Sequence, residues 1–332
     1  MNHTPRLLYL STRNFVRILV TTCIGLISCY TSAQEFPSRQ ITIIVPVSAG
    51  GGSDTFARAI AQKLSTGFGR IVLVDNRPGA SSTIGTEVVV RAPPDGHTLL
   101  YAASAITLMN AFYSKLTFDT RRDLAPISMT VSIPQVLVVH PSLQVRNVKE
   151  LLALAKSKPA ALTYGSAGVG AAQHLAMELL RSKTGIDANH IPYRGAAPMQ
   201  VSLLSGETQF GFLVIPLVQG HLKTGKMRAL GVSARKRSTI LPDIPTLHES
   251  GVANFEALQW HGFFAPAKVS AAIITRLNQE IVKALAAPDM TAWFVAEGAE
   301  VVASTPKEFA TFYQAEITKW TDIVKRSGAK PE

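Results

Sequence analysis

Two short runs in this 332-residue chain could hold an anion by backbone alone. One is Ser48-Ala49-Gly50-Gly51-Gly52-Ser53-Asp54; the other is Gly165-Ser166-Ala167-Gly168-Val169-Gly170. Each follows an apolar run and precedes a helical pattern. At such a junction the first helical N–H groups lack partners, and the helix dipole adds positive potential. Glycine lets a ligand oxygen approach the backbone with no side chain in the way. An ordinary β–α turn of a parallel sheet reads the same way, and the first segment alone leaves both readings open.

Further donors lie in two other loops. Ser81 and Ser82 follow Asn76-Arg77-Pro78-Gly79-Ala80, and Tyr193 and Arg194 sit in His190–Pro198, HIPYRGAAP. A guanidinium grips a carboxylate in two places, which makes Arg194 attractive. The alternative for Tyr193-Arg194 is a loop that packs an edge. Ser104, two residues past the strand candidate Thr98–Ala102, joins the candidate set. Trp260 and Phe263 could wall an apolar cleft, or simply belong to the core.

Several chemistries lack their residues. No Gly-Lys-Ser/Thr follows the first glycine run, so it is not a P-loop, and neither run is a complete dinucleotide fingerprint. Ser166 stands between a strand and a helix as a nucleophile would. Its flanks are not Gly-x-Ser-x-Gly, and His174, His190 and His261 have no partners that the sequence can name. The eight histidines are scattered without ligand spacing. No cofactor, metal or catalytic residue is expected.

Strands and helices must alternate to position these loops. Strand candidates are Ile41–Val47, Ile71–Asn76, Thr98–Ala102, Gln135–His140, Leu162–Gly165, Ala188–Ile191, Gln209–Val214, Met227–Ser233 and Leu258–Ala265. Helices between them argue for an α/β protein with mainly parallel sheets. Ser53 or Asp54 is the expected N-cap of a helix carrying Phe56, Ile60 and Leu64. Asn147 with Glu150, and Thr305 with Glu308, have capping-box spacing. The strand–turn–helix unit at Ile41–Arg58 returns at Leu162–Leu180, which suggests two lobes whose helix starts face one cleft. Such a cleft would suit two or more carboxylates.

Residues 1–33 read as a secretory signal: Arg6, Arg13 and Arg17 precede apolar Ile18–Ile27, and Ala33 offers a cleavage site. Alternatives are a short membrane anchor, or a lipoprotein box at Leu26-Ile27-Ser28-Cys29. Both cysteines, Cys23 and Cys29, lie in this leader, so a chain cleaved near Ala33 has neither disulfide nor thiol. The formal charge of +11 fits small anionic ligands better than nucleic acid, since no basic patch is interleaved with aromatics.

With these segments in hand the chain resembles the tripartite tricarboxylate transporter substrate-receptor family, the Bug receptors. The resemblance is carried by Ile43–Arg58, Val74–Thr86, Ala92–Leu100, Leu162–Glu178, His190–Gly206, Leu241–Gly251 and Trp260–Pro266, in order. It implies a two-lobed type II periplasmic binding protein with two hinge crossovers. One lobe would be 34–124 plus 256–332 and the other 125–255. It implies a non-enzymatic, monomeric receptor in the periplasm that closes on a small organic acid. Partners would be the membrane subunits of a transporter or, alternatively, a sensor-kinase ectodomain. Ser48 to Asp54 would take a ligand carboxylate, Ser166 to Gly170 the other end, with Ser81 and Ser82 at the side. Departures from the family pattern are Ser202, Glu207-Thr208-Gln209, Leu213–Pro216 and Ser81-Ser82. Lost acids disfavour an amine-bearing ligand, and added serines favour an oxyanion.

Overall fold

In the computed structural model the described residues are 36–113 and 116–327. The expected leader and Cys29 therefore lie outside them. By its contacts the chain separates at Arg39/Gln40, and every strand and helix named below belongs to the unit from Gln40 onward. Ten strands share one sheet: β1 Ile41–Val45, β2 Val72–Asn76, β3 Thr98–Ala103, β4 Leu124–Val139, β5 Thr163–Ser166, β6 Asn189–Pro192, β7 Phe210–Val214, β8 Arg228–Val232, β9 Leu258–Pro266 and β10 Glu300–Val301. The helices are α1 Gly52–Phe68, α2 Thr83–Val90, α3 Met109–Phe112, α4 Thr120–Asp123, α5 Val148–Ser157, α6 Ala172–Thr184, α7 Ala196–Ser205, α8 Ile215–Lys223, α9 Ala271–Leu285, α10 Pro288–Ala296 and α11 Pro306–Ser327.

The sheet order is β2-β1-β3-β9-β4-β7-β5-β6, with β8 and β10 also paired to β4. Pairings among β1, β2 and β3 are parallel, as are those among β5, β6 and β7. These are the strands expected from alternating βα units, and β1, β3 and β7 are the buried apolar runs of a sheet covered on both faces. Between the two sets lie β9 and the 16-residue β4, which are antiparallel to their neighbours.

β4 changes partner along its length. Leu124–Pro134 pairs with β9, and Gln135–Val139 pairs with β7 and β8. The first part was not among the strand candidates. It contains Pro126 and Pro134, and its register with β9 shifts near Pro126 and again near Val131. Proline donates no ladder hydrogen bond, and the first of these shifts falls at Pro126.

Both expected capping boxes form. Glu150 N–H donates to Asn147 Oδ1 at 2.9 Å, and Thr305 N–H donates to Glu308 Oε2 at 2.9 Å. A third box, Thr246 with Glu249, closes the turn before residue 250.

α11 joins two apolar cores. Phe309, Tyr313 and Ile317 pack with Trp260 and Phe264 under the first set of strands. Trp320, Ile323 and Val324 pack with Leu175, Leu179, Phe212 and Phe255 under the second. Glu316 stands between the two groups and is buried. Its Oε2 accepts the indole N–H of Trp260 at 3.2 Å and of Trp320 at 2.8 Å, and Lys319 pairs with its other oxygen. Trp260 and Phe263 are fully buried, so both are core rather than cleft wall.

Candidate functional site

The two glycine loops sit where the sequence puts them, each between a parallel strand and a helix. They are built alike but charged differently.

In the first loop, α1 starts at Gly52 with Gly51 as its N-cap, and no side chain caps it. The expected cap at Ser53 or Asp54 is therefore corrected: both lie inside the helix. Asp54 is buried and faces inward. Its carboxylate accepts the Gly50 N–H at 2.9 Å, Arg58 Nε at 3.1 Å and Asn76 Nδ2 at 2.9 Å. Asn76 ends β2, the strand beside β1, so one carboxylate ties the glycine loop to the sheet edge. Burial pushes its pKa up, but the hydrogen bonds from Arg58, Gly50 and Asn76 outweigh it and leave it below the ordinary carboxylate value. Ser53 Oγ lies 2.9 Å from Nε2 of the buried His261. Ser48, Ala49, Gly50, Gly51 and Gly52 are exposed.

A depressed folded-state pKa stabilises above the unfolded value, near 3.8, and is lost as pH falls through the folded one. Asp54→Ala also leaves the Gly50 N–H and Asn76 amide without their acceptor. The expected loss is about 1–3 kcal/mol at pH 7, shrinking below about pH 4. Urea denaturation at the two pH values checks this, and an equal loss at both would contradict it.

In the second loop the same i to i+4 contact recurs with a neutral acceptor. Gly170 N–H donates to His174 Nδ1 at 3.1 Å. Burial pushes the His174 pKa down, so the ring is neutral near pH 7. The first turn of α6 holds no acid. Its N-terminal potential is therefore unopposed, whereas that of α1 already faces Asp54. Behind the loop, Ser166 Oγ accepts the Gly168 N–H at 3.1 Å and lies 2.6 Å from His190 Nε2. His190 stacks between His174 and Tyr164, at ring distances of 4.3 and 4.8 Å. Glu178 anchors the set, accepting Tyr164 Oη–H at 2.9 Å and Arg181 at 2.8 Å. Ser166 is fully buried behind the loop.

Burial holds both His190 and His261 down at about pKa 4, with His174 adding to the effect on His190. Between about pH 6.5 and 4 the unfolded chain binds protons that these folded rings refuse. Stability is thus fully present above 6.5, falls through that window and then levels. For the fully buried His261 this is on the order of 3 kcal/mol. The urea midpoint is expected to drop markedly between pH 7.5 and 4.5, and His261→Phe is expected to flatten that slope. An unchanged slope would show that His261 is not kept neutral.

A cleft of about 600 Å³ opens beside the second loop. Ala167, Gly168, Gly170, Tyr193 and Arg194, all candidates, line one wall, and Ser81 lines the other. Arg194 is exposed, and its guanidinium makes no hydrogen bond or ion pair with any described residue. The Tyr193 ring packs beside Gly165, and its hydroxyl is buried. Gly168 and Gly170 have φ of +129° and +79°, conformations that other residues adopt only with strain.

Ser81 sits in an unusual turn. Ala80, Ser81 and Ser82 have φ of +44°, +49° and +74° in succession. Holding three such residues costs energy that the surrounding packing must supply. Gly85 permits that packing, since a Cβ there would lie 2.7 Å from Arg77 O and 2.8 Å from Pro46. Tyr113 Oη–H donates to Ser81 Oγ at 2.6 Å.

Ser48 to Asp54, Ser82, Ser104 and Ser166 do not line this cleft. Ser104 instead lines a cavity of about 10 Å³ with Gln135 and Ala172. Sequence reasoning missed the facing wall of the cleft: Ala105, Leu108, Met109, Phe112 and Tyr113. The signal was slight, an apolar i, i+4 pair at Leu108 and Phe112 in a segment too short to show a period. A second groove, of about 620 Å³ between α6 and α11, holds four cations. They are already engaged: Arg326 with Asp322, Lys319 with Glu316, Arg235 with Asn254 and Lys183 with a backbone carbonyl. It is the poorer anion site.

The profile of the family described as "Tripartite tricarboxylate transporter family receptor" matches residues 56–329. Protein BugT of Bordetella pertussis is 35% identical over 306 residues, 92% of this chain and 94% of that protein. The solved structure of R. palustris Rpa4515 with adipate is 32% identical, with a TM-score of 0.73 over 90% of this chain and 100% of that one. The structure of periplasmic binding protein BugD is 29% identical, with a TM-score of 0.70 over 90% of this chain and 100% of that one.

Proposed function

This chain belongs to the tripartite tricarboxylate transporter receptor family, and from that premise we propose that it captures a small organic anion in the periplasm for a membrane transporter. The family is one of substrate-binding receptors rather than enzymes, and the fold is the mixed α/β fold of periplasmic solute-binding proteins. The observation that carries the proposal is Arg194: an uncommitted guanidinium in a cleft of about 600 Å³ whose other wall comes from β2–α2 and α3. A carboxylate there would meet Arg194 and the start of α6 together.

The strand pairing supports a division into two lobes, with crossovers at Pro134/Gln135 and Ala257/Leu258. Placing the first crossover at 134/135 rather than 124/125 keeps each ladder within one lobe. Ligand bound to both walls would favour the closed lobe arrangement, which the transporter subunits would then read. The leader expected at residues 1–33 agrees with a periplasmic location.

Native mass spectrometry of freshly purified protein, then thermal-shift assays against organic acids, amino acids and amides, tests the receptor role. Stabilisation by organic acids is the expected result. Stabilisation by amino acids or amides alone would overturn it, and turnover of a bound acid would point to an enzyme. Co-purification with a sensor kinase instead of transporter subunits would change the partner.

A further inference from the structure

The receptor reading above has two lobes moving about the crossovers at Pro134/Gln135 and Ala257/Leu258, and these crossovers are tied to each other. Ser233, fully buried just past β8, meets both. Gln135 N–H donates to Ser233 Oγ at 2.9 Å, and Gln135 O accepts the Ser233 N–H at 2.8 Å. Ser233 Oγ–H donates to Ala257 O at 2.6 Å, and Ser233 O accepts the Ala257 N–H at 3.0 Å. These bonds fix the backbone of Gln135 at the joint.

The Gln135 side chain is only half satisfied. The residue is 1% exposed. Its Nε2 donates to Ala172 O, at the start of α6, at 3.3 Å. That acceptor can only take an N–H, which settles which end of the amide faces it. Oε1 is buried and has no hydrogen-bond partner among the described residues. A buried carbonyl oxygen without a donor is costly, so a partner in another arrangement of the joint would be a real gain.

The cavity of about 10 Å³ beside Gln135 narrows the choice of partner. Among the described residues lining it, only Trp320 and Ser104 have other polar side chains. Trp320 already gives its indole N–H to Glu316. Ser104 follows β3 in the other lobe, and its hydroxyl makes no hydrogen bond with any described residue. We propose that Gln135 is a latch for the closed receptor: as the lobes close, Ser104 Oγ–H donates to Gln135 Oε1. The bond forms across the joint and only in the closed arrangement. It therefore raises affinity by favouring closure, without Gln135 touching the bound acid.

Titration calorimetry with succinate, adipate and benzoate, paired with thermal unfolding without acid, tests the latch. The proteins compared are the wild type, Gln135→Met, Ser104→Ala and the double variant. Methionine keeps the length of the side chain and removes the unpaired oxygen, and Ala172 O keeps its place in the α6 ladder. Gln135→Met is expected to weaken the best-bound acid about tenfold, with no fall in the unliganded melting temperature. Ser104→Ala is expected to lose as much, and the double variant no more than either. A lowered melting temperature in Gln135→Met would mean that the amide merely props α6. That result, unchanged affinity in Gln135→Met, or additive losses overturns the latch and leaves the receptor role standing. No binding of any of the three acids to the wild type overturns both.

Discussion

Arg194→Gln is expected to weaken organic-acid binding by on the order of a hundredfold while leaving the fold's stability unchanged. The two halves of that result have separate causes. A charged hydrogen-bonding pair in a partly desolvated cleft contributes about 2–4 kcal/mol when one partner is removed. Arg194 makes no hydrogen bond or ion pair with the described residues, so the unliganded protein loses nothing. Arg194→Lys keeps the charge but not the two-point grip and is expected to fall in between. Titration calorimetry measures the affinity, and thermal unfolding without ligand measures the fold. Unchanged affinity would remove Arg194 from the site. A lowered melting temperature would mean that it holds the loop instead.

Glu316→Ala is expected to cost about 3–5 kcal/mol of stability, more than the loss expected for Asp54→Ala. The carboxylate serves two buried indole N–H groups and Lys319. Removing it leaves the two indole N–H groups in the core without an acceptor, while Lys319 keeps its bond to the Glu256 carbonyl at 3.1 Å. Glu316→Gln retains one acceptor oxygen in nearly the same place and is expected to cost less than half as much. Urea denaturation of both variants decides the matter. A loss under about 1 kcal/mol for alanine would mean that the indoles find other acceptors.

The unequal legibility of the site has physical reasons. The strand–glycine–helix units could be read because each depends on neighbours in sequence: an apolar run, a turn and a periodic helix. Asp54 could not be read correctly. Its inward role depends on Asn76, which comes beside it only because β2 pairs with β1. The neutral partner of the second loop, His174, was legible as a helical residue, but its contact with Gly170 was not. Along β4, prolines and hydroxyl residues hid the strand at Leu124–Pro134, where tertiary pairing with β9 overrides local propensity. The apolar wall at Leu108–Phe112 escaped because it is one short helix and the turn before it. Direction was also beyond the sequence at Tyr193-Arg194, where one side chain packs inward and its neighbour faces the cleft.

One helix, α11, makes the two halves of the sheet depend on each other for burial. Both apolar cores wait for α11: Phe309 to Ile317 complete one, and Trp320 to Val324 the other. While those residues are still untranslated, each half exposes the surface they will cover. Neither half can bury its apolar face fully without the same helix. A fault in that single helix would uncover apolar surface on both halves of the sheet at once.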